Sequence, residues 1–402
     1  MKKLLILVGS ENQRPLFERA KRLGIHTILC DSRIDVPCST IANEQWFIDT
    51  WDVEGIVRKA SEEKIDGIIT NSEPRFVDLA VIAKRLGLRC LSPEQTTLYK
   101  NKFLMREFCV SKGLLSPRFK HCMSYKEAEE FFVLVNKKCI IKPLDNSASR
   151  GVFSINSLDE LKEHFDESMN ASLSEPPSVL MEEYITGTEF TIDSLKTEKS
   201  NYSLAISEKK HYAYNENVAN QLLFDNFNEK FDYQELRKVN DCLVNATEIP
   251  FGLTHAEYKF CEGKYYLIEI QARGGGNFIA TDIVPYISGI DSYLEQIKWC
   301  LGIPTTVTFD YSHLSTKCSV LYFFDVPGNG GVVKEIKGID YLESLKAQSK
   351  LRYHLAFKEG DTIEKTKDDS TRIGWYILYA CSREELDSLM KKIEETVSFI
   401  LE

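Results

Sequence analysis

The sequence predicts an α/β and α+β chain that opens with a parallel α/β domain, and three observations carry that prediction. Up to about residue 95, short apolar runs alternate with helical patterns, the rhythm of a parallel sheet with crossover helices. Beyond that point strand-like runs are joined by short turns, as between Thr254 and Gln271 with the turn Cys261-Glu262-Gly263-Lys264. From about 301, strands around Leu321 and Trp375 give way to an amphipathic helix from Ser382 onward, which predicts a carboxy-terminal α+β domain. At 402 residues the chain exceeds what one hydrophobic core organises, and ~150 residues per domain gives two to four domains.

The amino-terminal elements follow in order. Leu4 to Val8 reads as a buried strand, because five apolar residues after Lys2-Lys3 are too few for the core of a signal peptide. A helix from Arg14 to Leu23, a strand from His26 to Cys30, a helix from Val53 to Glu63, a strand from Gly67 to Thr70 and a helix from Arg75 to Leu86 complete the pattern. Ligand crevices of such sheets lie beyond the carboxyl ends of the strands. That rule places Gly9-Ser10-Glu11-Asn12-Gln13 and Asn71-Ser72-Glu73 at a crevice. The first loop is not G-x-G-x-x-G, and Asp31 after the second strand does not by itself make a dinucleotide site. Glu73 is a candidate substrate contact and equally a candidate N-cap for the helix starting near Pro74.

Ser92-Pro93-Glu94 marks a boundary, and Asn101 to Lys112 reads as a helix carrying Phe103, Leu104, Met105 and Phe108. Cys139-Ile140-Ile141-Lys142-Pro143 is a short apolar strand ending in a lysine, followed by the loop Asp145 to Gly151. Val179 to Ile185 is strand-like, Thr186-Gly187 a turn, and Glu189 to Asp193 another strand.

These elements carry a phosphate-binding and metal-binding logic. Lys142 and a loop of small residues bearing Arg150 can neutralise and wrap a phosphate chain, since backbone N–H groups approach closely where side chains are small. Glu257 and Glu269 on adjacent strands can share magnesium, which takes oxygen ligands at ~2.0–2.1 Å. Gln271 falls on the same strand face as Glu269 and can offer a third oxygen. Arg273 and Gly274-Gly275-Gly276 follow, a guanidinium and backbone donors for an anionic substrate group or a developing oxyanion. Taken singly, each has a plain reading: a strand-end lysine, a solvated acidic face, a flexible turn.

Their order along the chain resembles the ATP-grasp superfamily, specifically its carboxylate–amine ligases. The signals are Asn101-Lys102, Ile141-Lys142-Pro143, Asn146 to Val152, Met181 to Phe190 and Glu269 to Arg273; Thr371-Arg372-Ile373-Gly374 resembles the carboxy-terminal region of amino-acid ligases. The resemblance implies a preceding α/β domain over 1–95, a two-lobed ATP-grasp core over 96–300 with its small lobe at about 116–185, and a C-terminal domain over 301–402. It implies ATP and Mg2+ (or Mn2+) as cofactors. Lys102 and Lys142 would contact phosphates, and the loop from Ser147 through Ser149 and Arg150 to Gly151 would close over them. Glu182 would accept from the adenine amino group, Tyr184 and Ile185 would line the base, and Glu189 would hold the ribose. Glu257 and Glu269, with Gln271, would ligate metal; Arg273 would act on phosphate and acyl substrate beside Glu73, Gly275 and Gly276. Three positions depart from the family pattern: Gln271 where Asn is common, Ala148 where glycine is frequent, and an amino-terminal turn retaining only Gly9.

The chemistry so implied is activation of a carboxylate as an acyl phosphate and its capture by an amine, with small-molecule substrates as partners and a homodimer expected from the family. Catalytic candidates are Lys142, Arg273 and His255, the last being two positions from Glu257 on one strand face. Alternatives are a purine-biosynthetic or bicarbonate-activating member, which shares the ATP-side residues, and a nucleotide-binding regulatory protein without turnover. Fifty Lys plus Arg against sixty Asp plus Glu, a net charge of -10, argue against nucleic acid or an anionic membrane as partner. Eleven cysteines without a C-x-x-C, and no run approaching ~20 apolar residues, fit a reduced cytoplasmic protein.

Overall fold

The four apolar residues Leu4 to Leu7 are each fully buried, which requires a strand covered on both faces. The structure, a computed structural model, describes residues 1–145 and 150–402. It begins with β1 (Lys3–Leu7), α1 (Arg14–Arg22), β2 (His26–Cys30), β3 (Glu44–Trp46), α2 (Val53–Glu63), β4 (Gly67–Ile69) and α3 (Phe76–Leu86). The sheet is parallel, in the order β3-β2-β1-β4. Alternation along β1 sends Leu4 and Ile6 to the cluster containing Leu16 and Phe17 of α1, and Leu5 and Leu7 to the cluster containing Ile56 of α2 and Leu79 of α3. Strand β3 has no apolar run to announce it.

Two helices lead into the core. α4 (Pro93–Lys100) is started by a capping box between Ser92 and Gln95, and α5 (Lys102–Ser111) by Asn101, whose side chain accepts from the Leu104 N–H at 3.1 Å. α5 buries Met105, Arg106 and Cys109, so a guanidinium sits on its inner face where the apolar pattern alone points to Leu104 and Phe108.

A four-stranded antiparallel sheet follows, built from β5 (Phe119–Cys122), β6 (Cys139–Pro143), β7 (Phe153–Ile155) and β8 (Val179–Glu183) in the order β5-β8-β6-β7. α6 (Tyr125–Val135) and α7 (Leu158–Asn170) cover one face through Phe131 and Phe165. Pro143 is the last residue of β6, and Gly151, at φ +71°, leaves no room for a Cβ against Ala171.

The largest sheet is antiparallel and has eight strands. It uses β9 (Thr188–Lys196), β10 (Asn201–Tyr212), β11 (Asn215–Phe224), β12 (Gly252–Cys261), β13 (Lys264–Gln271), β14 (Cys318–Phe323), β16 (Leu351–Leu355) and β18 (Gly374–Ala380), in the order β13-β12-β9-β10-β11-β14-β18-β16. Three strands from beyond residue 301 therefore extend the sheet that carries the acidic pair. α8 (Tyr233–Ala246) backs it, and a π-helical turn at Ile279–Ile283 leads into α9 (Val284–Ser288) and α10 (Ser292–Cys300). A small sheet of β15 (Gly331–Lys337), β17 (Thr362–Ile363) and β19 (Ser398–Leu401), with α11 (Ile339–Ala347) and α12 (Arg383–Thr396), closes the carboxy-terminal end. Ser382 caps α12 by accepting from Glu385 N–H.

Cross-strand register explains how the sheet positions a site. One row runs Lys259, Glu189, Lys209, Leu222, Leu321, Ile377 across β12, β9, β10, β11, β14 and β18. Its first half is charged and its second half apolar. The amino-terminal domain is tied to the core where the buried Arg19 of α1 donates to Asp291 at 2.6 Å, ahead of α10. All eleven cysteines are free and most are buried, as small core residues. Among the described residues no helix is long and apolar enough to cross a membrane.

Asn101 caps the helix that carries Lys102 and Arg106, so Asn101→Ala is expected to cost about 1 kcal/mol of stability, read as a lower urea midpoint with an unchanged slope.

Candidate active site

An open cleft of about 330 Å3 lies between the β6/β8 side of the smaller sheet and the face of the large one. Strand ends and strand faces, not loops, supply most of its walls. Lys102, Lys142, Glu182, Tyr184, Ile185 and Glu189 line it, as do His255, Glu257, Glu269, Gln271, Arg273 and Gly276. The structure thus brings together most of the residues singled out in the sequence. Ser147 and Ser149 lie outside the described residues; Arg150 and Gly151 are described but do not line the cleft.

On the small-sheet side, Lys142 Nζ is 2.6 Å from Glu182 Oε2, and Arg106 Nε donates to Glu182 Oε1 at 2.7 Å. All three are buried. Burial lowers the Lys142 ammonium below the ordinary lysine range, partly offset by Glu182. Burial would raise the Glu182 carboxyl, but the charges of Arg106 and Lys142 outweigh it and hold it below the usual carboxylate range. Each Glu182 oxygen thus has one cationic partner within the protein and keeps a further acceptor site, and the residue lines the cleft. β8 ends at Glu183; Tyr184 N–H donates to Lys138 O at 3.0 Å, and the Tyr184 ring lies between Lys138 and Lys259, 4.1 and 4.4 Å from its centre.

On the large sheet, Glu257 and Glu269 are direct cross-strand partners of β12 and β13. Lys102 Nζ is 3.2 Å from Glu269 Oε1, which also accepts from Gln271 Nε2 at 3.1 Å. Burial opposes ionisation of Glu269, but Lys102 and Lys142 outweigh it and bring its carboxyl down to about 2. The Gln271 Oε1 is buried and has no hydrogen-bond partner. Among the described residues no group of three or more His, Cys, Asp and Glu is placed to hold a metal ion. Two facing carboxylates and an unspent amide oxygen nevertheless form an all-oxygen donor set, which fits a hard cation such as magnesium.

Lys209 lies between two of these acids, 2.6 Å from Glu189 Oε1 and 3.3 Å from Glu257 Oε1. Burial would lower its ammonium, but the two carboxylates outweigh this and hold it above the ordinary lysine range. His211 Nε2 is 3.6 Å from Glu189 Oε2, and burial keeps its imidazole below the usual histidine range.

His255 Nδ1 is 3.0 Å from Asp193 Oδ2, which orients the ring so that Nε2 points toward Glu257, 4.0 Å away. Asp193, read from the sequence only as the last residue of a strand, also accepts from the Gly275 N–H at 2.7 Å. That N–H is buried and committed, so the donor expected at Gly275 faces Asp193, whereas Gly276 is exposed to the cleft. Glu73, in a 3-10 turn after β4, accepts from Arg273 Nε and Nη2, each at 3.4 Å, and so joins the site through Arg273.

Sequence reading passed over Lys209, Arg106 and Asp193. Lys209 sits in the run Glu208-Lys209-Lys210-His211, which looks like a solvated face; strand alternation puts Lys209 and His211 on one side, and that period was the available signal. Arg106 offered no signal beyond its place one helical turn after Lys102.

Residues 135–282 match the ATP-grasp domain model. The whole chain superposes on the crystal structure of an L-amino acid ligase from Bacillus licheniformis with a TM-score of 0.80 at 22% identity, covering 100% of this chain and 99% of that one. The uncharacterized protein y4rH of Sinorhizobium fredii is 22% identical over 412 residues, 99% of this chain and 83% of its own length. A formate-dependent phosphoribosylglycinamide formyltransferase of Bacteroides thetaiotaomicron is 25% identical over 187 residues, 46% of this chain, so that the match spans about half (48%) of the formyltransferase.

The depressed Glu269 carboxyl makes a pH prediction. Its contribution to stability is present above the unfolded value of ~4.3 and is lost as pH falls toward about 2. Urea midpoints measured from pH 6 to pH 2 are expected to fall less steeply for Glu269→Gln than for the wild type.

Proposed function

We propose that this chain, which has the ATP-grasp fold and carries an ATP-grasp domain over residues 135–282, is an ADP-forming ligase that joins a carboxylate to an amine, with an amino acid among its substrates. The observation that carries the reading is that one cleft is lined by Lys102, Lys142 and Arg273 together with Glu257, Glu269 and Gln271. In this reading 1–95 is an entry domain, 96–300 the two-lobed core and 301–402 the C-terminal domain.

A carboxylate cannot acylate an amine directly, because the leaving group would be oxide. Attack of its oxygen on the γ-phosphorus of ATP expels ADP and gives an acyl phosphate. Attack of the amine nitrogen on the acyl carbon then expels phosphate and releases a proton. The task left to the chain is positioning and charge neutralisation. Lys102 and Lys142 would neutralise phosphate, and Glu189 with the backbone at Tyr184 and Ile185 would hold the nucleoside. Lys209, already bridging Glu189 and Glu257, would link the ribose-holding and metal-holding acids. Glu257, Glu269 and Gln271 would hold magnesium, which supplies Lewis-acid neutralisation of the phosphate oxygens. Arg273, oriented by Glu73, would bind the acyl carboxylate. His255, with Nδ1–H donated to Asp193, would present Nε2 as acceptor for the proton of the incoming amine. The free cysteines support a cytoplasmic setting, and a homodimer is part of the reading.

The formyltransferase match favours a second reading, in which the carboxylate is as small as formate and the amine is borne by a larger phosphorylated substrate. The two share every ATP-side residue and differ in product mass.

Incubation with ATP, magnesium and pooled amino acids and metabolite carboxylates is expected to release ADP and phosphate, with a condensed product seen by mass spectrometry. ADP release that stays at background across a wide panel would overturn the ligase reading and favour a regulatory protein. With ligase activity present, hydroxylamine is expected to trap a hydroxamate. Lys142→Ala removes a charge-assisted contact of ~1.5–3 kcal/mol, so the KM for ATP is expected to rise roughly ten- to hundred-fold. Chelation of magnesium is expected to abolish turnover, and wild-type rates for Glu269→Gln would sink the metal assignment.

A further inference from the structure

Three charges are buried against one another at the wall of the cleft. The side chains of Arg106 and Glu182 are 1% and 3% exposed, and that of Lys142 is 7% exposed. Taking a charge out of water is costly, and one cation is enough to neutralise one carboxylate. A second buried cation on Glu182 therefore needs a reason beyond pairing. The geometry supplies it. Glu182 turns Oε1 to Arg106 and Oε2 to Lys142, so that the carboxylate is divided between them. Lys142 and Glu182 line the cleft, whereas Arg106 does not; its Nη2 instead donates to the carbonyl of Ile268, next to Glu269 on β13. With Lys102 and Glu269 beside them, the five groups hold three cations to two carboxylates, a net charge of plus one; Lys102 is spent on Glu269, and the remaining cation with access to the cleft is Lys142.

We infer that Arg106 is a positioning residue for nucleotide binding: it takes up the charge of Glu182 so that Lys142 faces the triphosphate as an uncompensated cation. Without Arg106, Lys142 and Glu182 are a neutral pair and each holds the other. The bond to Ile268 fixes the guanidinium from α5 to β13, across the seam between the two sheets. The inference rests on the reading that Lys142 contacts ATP phosphates.

The test is calorimetric titration of the full chain with a non-hydrolysable ATP analogue and magnesium. Arg106→Met is expected to weaken binding roughly ten-fold or more, the scale of one charge-assisted contact. The double variant Arg106→Met/Glu182→Gln restores the charge of plus one on Lys142 and is expected to bind within about three-fold of wild type, on the same scale. A guanidinium that only holds the fold predicts a double variant no better than the single one, and that result would overturn the inference. If Arg106→Met does not fold, Arg106→Lys decides. It keeps the charge but loses one of two donors, so the melting temperature is expected to fall while nucleotide affinity stays within about three-fold. A ten-fold loss of affinity in folded Arg106→Lys would count against the counter-charge role. Lys142→Ala separates the two layers. If it leaves affinity unchanged, the phosphate assignment of Lys142 itself fails; if it weakens binding and Arg106→Met does not, only the role of Arg106 fails.

Discussion

Charges drawn out of water must be paired, and at the cleft the pairing is made between elements and not along them. Lys142 of β6 meets Glu182 of β8, Lys209 of β10 meets Glu189 of β9 and Glu257 of β12, and Lys102 of α5 meets Glu269 of β13. Each pair depends on the register of two elements distant in sequence. Lys142 and Glu182 pair within the smaller sheet, Lys209 and its two acids within the large one, and Lys102 joins α5 to the large sheet, so that paired cations and carboxylates line both walls of the cleft.

The row Lys259–Glu189–Lys209–Leu222–Leu321–Ile377 shows the same constraint at the scale of the sheet. The face changes from charged to apolar between β10 and β11, and the apolar half comes partly from strands beyond residue 301. The carboxy-terminal hundred residues are thereby built into the floor of the large sheet.

Much of the architecture was legible because local pattern and burial agree. The run Leu4 to Leu7 reads as a doubly covered strand and is one; the turn at Cys261 to Lys264 joins two antiparallel strands; Ser382 starts the last helix. Strands β10 and β11 were not foreseen, because β10 ends in the charged run Glu208 to His211, whose polarity resembles a surface until the sheet places it over Glu189. Strand β3 escaped because its three residues have no apolar period.

Residue identity and order set the kinds of chemical group available: a lysine at a strand end, two acids on a hairpin, an arginine before three glycines. Those follow from residue identity and from periods of two and 3.6, which act within one element. Tertiary structure alone decided which of these groups touch. It turned the Glu182 carboxylate inward onto Arg106 and Lys142, spent the Gly275 N–H on Asp193, left the Gln271 oxygen without a partner, and brought Lys209 between two acids. Electrostatic and hydrogen-bond energies vary over ångströms, whereas those contacts span 20 to 82 positions of chain, a separation no local period encodes.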